Sequence, residues 1–272
     1  MSYAFPPGGL PDQSTNPEGA AVFTPAYAFI PAITMRDIVT SYLPGWRDTR
    51  VWIIARPLSG FAETFAQYAV EIGPDGGSTQ PEPERDAQGV VFVASGTVDL
   101  TLAGKVHRLT AGGYAYIPPA IPWEINNPTD DLAQLHWIRK RFEYVPGLEK
   151  PDAFVTSDAE VAPIPMPNAP KWATTRFADP ADLRHDMHVN IVTFQPGGLI
   201  PFAETHVMEH GLYVLQGTAR YLLNQDWVDV GPGDFMWLRA FCPQACVATG
   251  EEPFRYLLYK DVNRHVNLGI GQ

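Results

Sequence analysis

The chain has 272 residues, enough for one large or two modest domains with cores of their own, and 45% of them are hydrophobic, as in an ordinary soluble globular protein. Nineteen Lys and Arg against 30 Asp and Glu give a net charge of −11, so there is no basic footprint for nucleic acid or for an anionic membrane. No run of 18 apolar residues occurs, and residues 1–7 lack the basic and apolar regions of a signal peptide, which makes the cytoplasm the expected location.

Residues 1–20 are rich in Gly and Pro and are expected to be poorly ordered unless a partner pins them. Beyond them, 27 Pro and 23 Gly punctuate short runs of Val, Ile, Tyr, Phe and Trp, the pattern of an all-β protein. Those runs occur twice. Placing Gly96-Thr97 on Gly217-Thr218 gives an offset of 217 − 96 = 121. Without a gap, that offset sets Gly76-Gly77 on Gly197-Gly198, Gly112 on Gly233, Tyr114 on Phe235, Tyr116 on Trp237 and Pro122 on Pro243. One register that matches the glycines, aromatics and proline of two turns marks an internal duplication. The expected division is a first β-domain over 1–143, a linker over 144–186 and a second β-domain over 187–272.

The linker carries Pro151, Pro163, Pro165, Pro167, Pro170 and Pro180 and reads as extended, with a short helical turn possible at 182–185. Met187 to Phe194 reads as the first strand of the second copy. After the turn at Pro196-Gly197-Gly198 comes Glu204-Thr-His206-Val-Met-Glu-His210-Gly211, in a stretch that reads as strand. Alternation there puts Glu204, His206 and His210 on one face, so a carboxylate and two imidazoles converge. Two histidines four apart are often chance, but the β context on both sides favours a site and disfavours the helical His pair of zinc proteases. Imidazole and carboxylate together suit Mn, Fe, Zn or Co. Glu209 falls on the opposite face and is expected to be solvated or to support the ligands. The 121-residue register sets Pro83, Arg85, Gly89 and Trp123 of the first copy against Glu204, His206, His210 and Gln244 of the second, so the first copy is expected to be metal-free and structural. Cys242 and Cys246 match no zinc or redox spacing and read as reduced, packed thiols.

A glycine turn, a ligand strand, a strand ending at Gly217, then Gly231-Pro-Gly-Asp234 and a further donor after Pro243 resembles the cupin superfamily, a double-stranded β-helix or jelly-roll barrel. Two tandem copies make a bicupin. The permuted set Glu204, His206, His210 and Gln244, together with Tyr256-Leu-Leu-Tyr-Lys260-Asp-Val-Asn-Arg264, resembles the (S)-ureidoglycine aminohydrolase family of purine-ureide catabolism. That resemblance implies one Mn2+ in the C-terminal copy, hydrolysis of a small ureide to (S)-ureidoglycolate and ammonia, and a pocket lined by Tyr221, Gln244, Tyr256 and Lys260. Positions 256, 258 and 260 alternate along a strand, so Tyr256 and Lys260 can share the inner face, where an ammonium needs a partner such as a substrate carboxylate. Glu204 is the candidate base beside its role as ligand, although a residue of the linker could serve instead. Another metal-dependent cupin chemistry, such as dioxygenation, and a non-catalytic metal-binding bicupin are the competing readings. Exposed sheet edges and aromatic content make a homo-oligomer the expected assembly.

Overall fold

A computed structural model describes residues 21–34, 41, 43–262 and 264; the expectation for residues 1–20 lies outside the described residues. The chain is built almost entirely of strands, in two barrels that follow the duplication. Subtracting 121 from the bounds of Phe254–Asp261 gives 133–140, within the strand Ala133–Arg141, and the same operation carries Phe235–Leu238 into Gly113–Ile117. The glycines that anchor the register have a shared physical reason. Gly96 and Gly217 sit at φ +75 and +71, and a Cβ there would meet the carbonyl oxygens of Leu132 and Pro253 at 2.6 and 2.4 Å, so no other residue fits either turn.

The C-terminal barrel has one wall in an eight-stranded antiparallel sheet, in which Phe235–Leu238, His210–Gln216, Phe254–Asp261, Met187–Phe194 and Ala169–Arg176 lie side by side. Its other wall is the three-stranded sheet Asp226–Val230, Ala219–Leu223 and Gln244–Ala248. In the N-terminal barrel both walls are continuous in one nine-stranded sheet. Strands such as Met187–Phe194 and Ala87–Ser95 are buried along most of their length because both of their faces are covered. Along Met187–Phe194, Val192 and Phe194 enter the C-terminal core, while Met187, Val189 and Ile191 enter a core shared between the barrels. There Phe65 stacks on Tyr259 at 3.9 Å and Phe61 lies 5.9 Å from Trp237. The two barrels therefore do not have fully separate cores.

The segment expected to be a linker is extended, with a turn at 182–185, but it is not unpaired. Phe154–Ser157 adds to the N-terminal sheet beside Gly113–Ile117, and Ala169–Arg176 joins the C-terminal sheet beside Met187–Phe194. Tyr27–Ile30, from the other end of the chain, pairs with Phe235–Leu238 of the C-terminal barrel. Sheet membership thus does not follow chain order. The equivalent edges Gly113–Ile117 and Phe235–Leu238 are both capped by borrowed strands, which removes two rows of unpaired backbone groups. No helix among the described residues is long and apolar enough to cross a membrane.

Candidate functional site

Glu204 and His206 reach the site from a loop, where alternation along a strand was expected. Residues 205–209 are irregular, and the strand begins only at His210. Glu204 is held by an isolated antiparallel bridge to Gln244, its N–H donating to the Gln244 carbonyl and the reverse bond returning, both at 2.9 Å. Phe241 N donates to the His206 carbonyl at 2.6 Å and fixes the rest of the loop. Backbone pairing across the barrel mouth sets Glu204 beside Gln244, the first residue of the strand Gln244–Ala248, while His210 opens the strand His210–Gln216, so a loop and two strand ends bring the candidate donors to the mouth. His206 Nε2 lies 3.3 Å from Glu204 Oε1, and the His206 and His210 rings stack with centroids 5.0 Å apart.

Of its two expected roles, solvated or supporting the ligands, Glu209 has the second. Instead of facing solvent, its carboxylate is buried between the barrels, accepting from the backbone N–H groups of Glu63 and Thr64, from the Thr64 hydroxyl and from Trp237 Nε1 at 2.6 Å. Its own N–H donates to Asp261 at 2.7 Å. Glu209 anchors the ligand loop one residue before His210 and takes no part in the pocket.

The inner wall carries the remaining candidates. His210, Lys260 and His188 are direct cross-strand neighbours on three adjacent strands, and Val214, Tyr256 and Val192 form a second row on the same face. Tyr256 and Lys260 share this face, as the alternation requires. The Tyr221 hydroxyl donates to Gln244 Oε1 at 2.8 Å, and its ring meets Tyr256 edge-on at 6.1 Å. Burial pushes the hydroxyls of Tyr221 and Tyr256 well above the ordinary range, so both stay protonated donors. Burial, with the Arg176 charge nearby, holds the Lys260 ammonium below its usual value. Among the described residues, neither Lys260 nor Arg176 forms an ion pair with a carboxylate.

Sequence reasoning missed Arg176, His188 and Asn190, which the register places on this inner wall. Their signal was the alternation His188-Val-Asn190-Val192 inside a run of β-branched residues, with polar groups where a core position is expected.

The donors fit a divalent ion by their chemistry. One carboxylate, two imidazoles and an amide oxygen suit Mn among borderline-to-hard ions. His210 Nδ1 is buried and finds no partner among the described residues, and burial pushes the imidazole down to about 3, so it is neutral as ligation demands. Among the described residues no three His, Cys, Asp or Glu side chains close around one point, so the donors converge in pairs. The aligned N-terminal positions Pro83, Arg85, Gly89 and Trp123 line a cavity of about 330 Å³. A larger one, about 740 Å³, lies between the barrels against Trp52, His136, Tyr213 and Arg255 and touches none of the candidate residues.

Comparison with known proteins places these features. The family model of the cupin domain matches the chain twice, over residues 68–139 and 190–259. The (S)-ureidoglycine aminohydrolase of Escherichia coli (strain K12) is 30% identical over 237 residues, 87% of this chain and 89% of that protein. The protein of the same name from Arabidopsis thaliana is 31% identical over 234 residues, covering 86% and 76%. Among solved structures, a candidate glyoxylate-induced protein from Pseudomonas aeruginosa is 58% identical over the full length of both chains, with a TM-score of 0.89.

Proposed function

We propose, for a chain that belongs to the cupin superfamily and within it to the (S)-ureidoglycine aminohydrolase family, that the C-terminal barrel hydrolyses (S)-ureidoglycine to (S)-ureidoglycolate and ammonia with manganese bound. The observation that carries this reading is the permuted donor set Glu204, His206, His210 and Gln244 beside a Lys260 that has no carboxylate partner among the described residues. Manganese held by those four residues would supply Lewis acidity, with positions left open for substrate or water.

The residues of the chain divide the remaining work. The Lys260 ammonium pairs with the substrate carboxylate in a partly desolvated wall, where a charge-assisted contact is strongest. Water adds its oxygen to the α-carbon as the C–N bond breaks, and the proton that water loses ends on the departing amine. Glu204, at the mouth and within 3.3 Å of His206, is the group proposed to move that proton. Tyr221 holds Gln244 in place through its 2.8 Å hydrogen bond. We further propose the allantoin branch of purine catabolism as the setting. The cytoplasm is the proposed compartment, with Cys242 and Cys246 buried and free. The test is ammonia release from freshly prepared (S)-ureidoglycine by the manganese-loaded protein, corrected for spontaneous decay of the substrate. Oxygen uptake without ammonia release would turn the assignment to another cupin chemistry.

A further inference from the structure

Asn190 is 3% exposed, and among the described residues its side-chain oxygen finds no hydrogen-bond partner. A buried amide without a partner costs about 1–3 kcal/mol, so such a group calls for a ligand or a structural reason. No structural reason is visible. Asn190 sits mid-strand in Met187–Phe194, where an aliphatic residue would pack as its neighbours Val192 and Phe194 do.

The register fixes its surroundings. Asn190 lies opposite Leu258 on one side and Arg176 on the other. On the strand Phe254–Asp261 its diagonal neighbours are therefore Tyr256 and Lys260, about 7–8 Å away in an antiparallel pair. All three face the interior of the C-terminal barrel. One small molecule can span that separation with a polar group at each end.

We infer that Asn190 is a specificity-determining residue that binds the ureido end of the substrate while Lys260 holds its carboxylate. This rests on the hydrolase reading above. A terminal amide and a ureido group are complementary, because each presents an N–H donor and a carbonyl acceptor in one plane, whichever way the amide is turned. Neither Lys260 nor Arg176 can accept a hydrogen bond, so neither can receive the ureido N–H groups. The Asn190 oxygen can. A site with a buried polar group waiting for its complement also rejects a small carboxylate that lacks it, because the amide would stay unpaired.

Asn190→Leu keeps the approximate shape and removes both polar atoms, so the protein should fold at least as well and keep its manganese. We expect kcat/KM for (S)-ureidoglycine to fall on the order of 10- to 100-fold. Competitive inhibition by (S)-ureidoglycolate should weaken by a similar factor, while inhibition by glycolate, which has the carboxylate without the ureido group, should stay within about twofold. Should Leu disturb folding, Asn190→Ser, which shortens the side chain and withdraws the amide, gives the same comparison. Retention of kcat/KM within about twofold, or equal weakening of both inhibitors, overturns the role of Asn190. A wild-type protein that binds (S)-ureidoglycolate better than glycolate yet releases no ammonia from (S)-ureidoglycine overturns the hydrolase reading alone, since direct binding of the two ligands to the wild-type protein and to Asn190→Leu, measured by calorimetry, still decides Asn190.

Discussion

The two barrels place a cation at the same point and surround it differently. Arg139 of the N-terminal barrel stands in the 121-residue register at Lys260 of the C-terminal one. Arg139 is paired with Glu82 and, at 3.3 Å, with Glu84; it accepts nothing and donates further to the Tyr68 hydroxyl at 3.4 Å while lying over the Trp137 ring. Among the described residues Lys260 has no such carboxylate. A cation neutralised by its own barrel is part of the scaffold, whereas one held partly buried without a counter-charge is costly at rest and gains most when an anionic substrate arrives. The duplicated fold is common to both halves. Beside the metal-donor set, the halves differ in whether this charge is already paired.

The metal ligands should give the largest difference. His210→Ala should bring manganese from about one ion per chain to near background and abolish turnover, whereas Arg85→Ala at the position aligned with His206 should change neither. Elemental analysis that finds two ions per chain would break the contrast outright.

Next come the two aligned cations. Lys260→Met keeps much of the apolar stem, so folding and manganese should survive while kcat/KM falls about 30- to 1000-fold. Arg139→Met should do the reverse, leaving Glu82 without its partner at a cost of about 3 kcal/mol in denaturant unfolding with kcat per folded molecule unchanged. Near-normal turnover by Lys260→Met would remove the main residue-level support for a carboxylate substrate.

Glu209 tests how far the halves are independent. Glu209→Ala removes the acceptor for donors from Glu63, Thr64 and Trp237, and should cost about 3 kcal/mol. Because those donors lie across the shared core, we expect one cooperative transition at lower denaturant. Two resolved transitions would mean that the barrels unfold separately.

The smallest effect is on acid stability. His136 is buried in the N-terminal barrel with its ring 4.1 Å from Tyr213 of the C-terminal one, and burial pushes it down to about 4. Its folded value lies below the unfolded one of about 6.5, so its contribution is fully present above pH 6.5 and is lost as pH falls from there toward 4, by up to about 1.4 kcal/mol per pH unit. His136→Phe should flatten the fall of stability across that window. An unchanged slope would show that other groups dominate acid unfolding.

Local rules fixed a good deal of this protein in advance. Alternation and Gly/Pro punctuation identified the all-β class, and the offset of 121 identified the two copies, because positions such as Gly96 and Gly217 tolerate no side chain in either turn. The types and order of the donors Glu204, His206, His210 and Gln244 were readable because few residues offer metal-binding atoms at neutral pH. Their support was not readable: Glu204 is set by backbone bonds to Gln244, forty residues on, and the loop that carries Glu204 and His206 owes nothing to strand alternation. The same applies to Glu209, to the sheet partners of Tyr27–Ile30 and Phe154–Ser157, and to the inward turn of Asn190. Periodicity along a strand says which residues share a face, but which sheet that strand joins, and whether the face meets a core, a partner barrel or a pocket, is decided by long-range backbone pairing that sequence spacing does not encode.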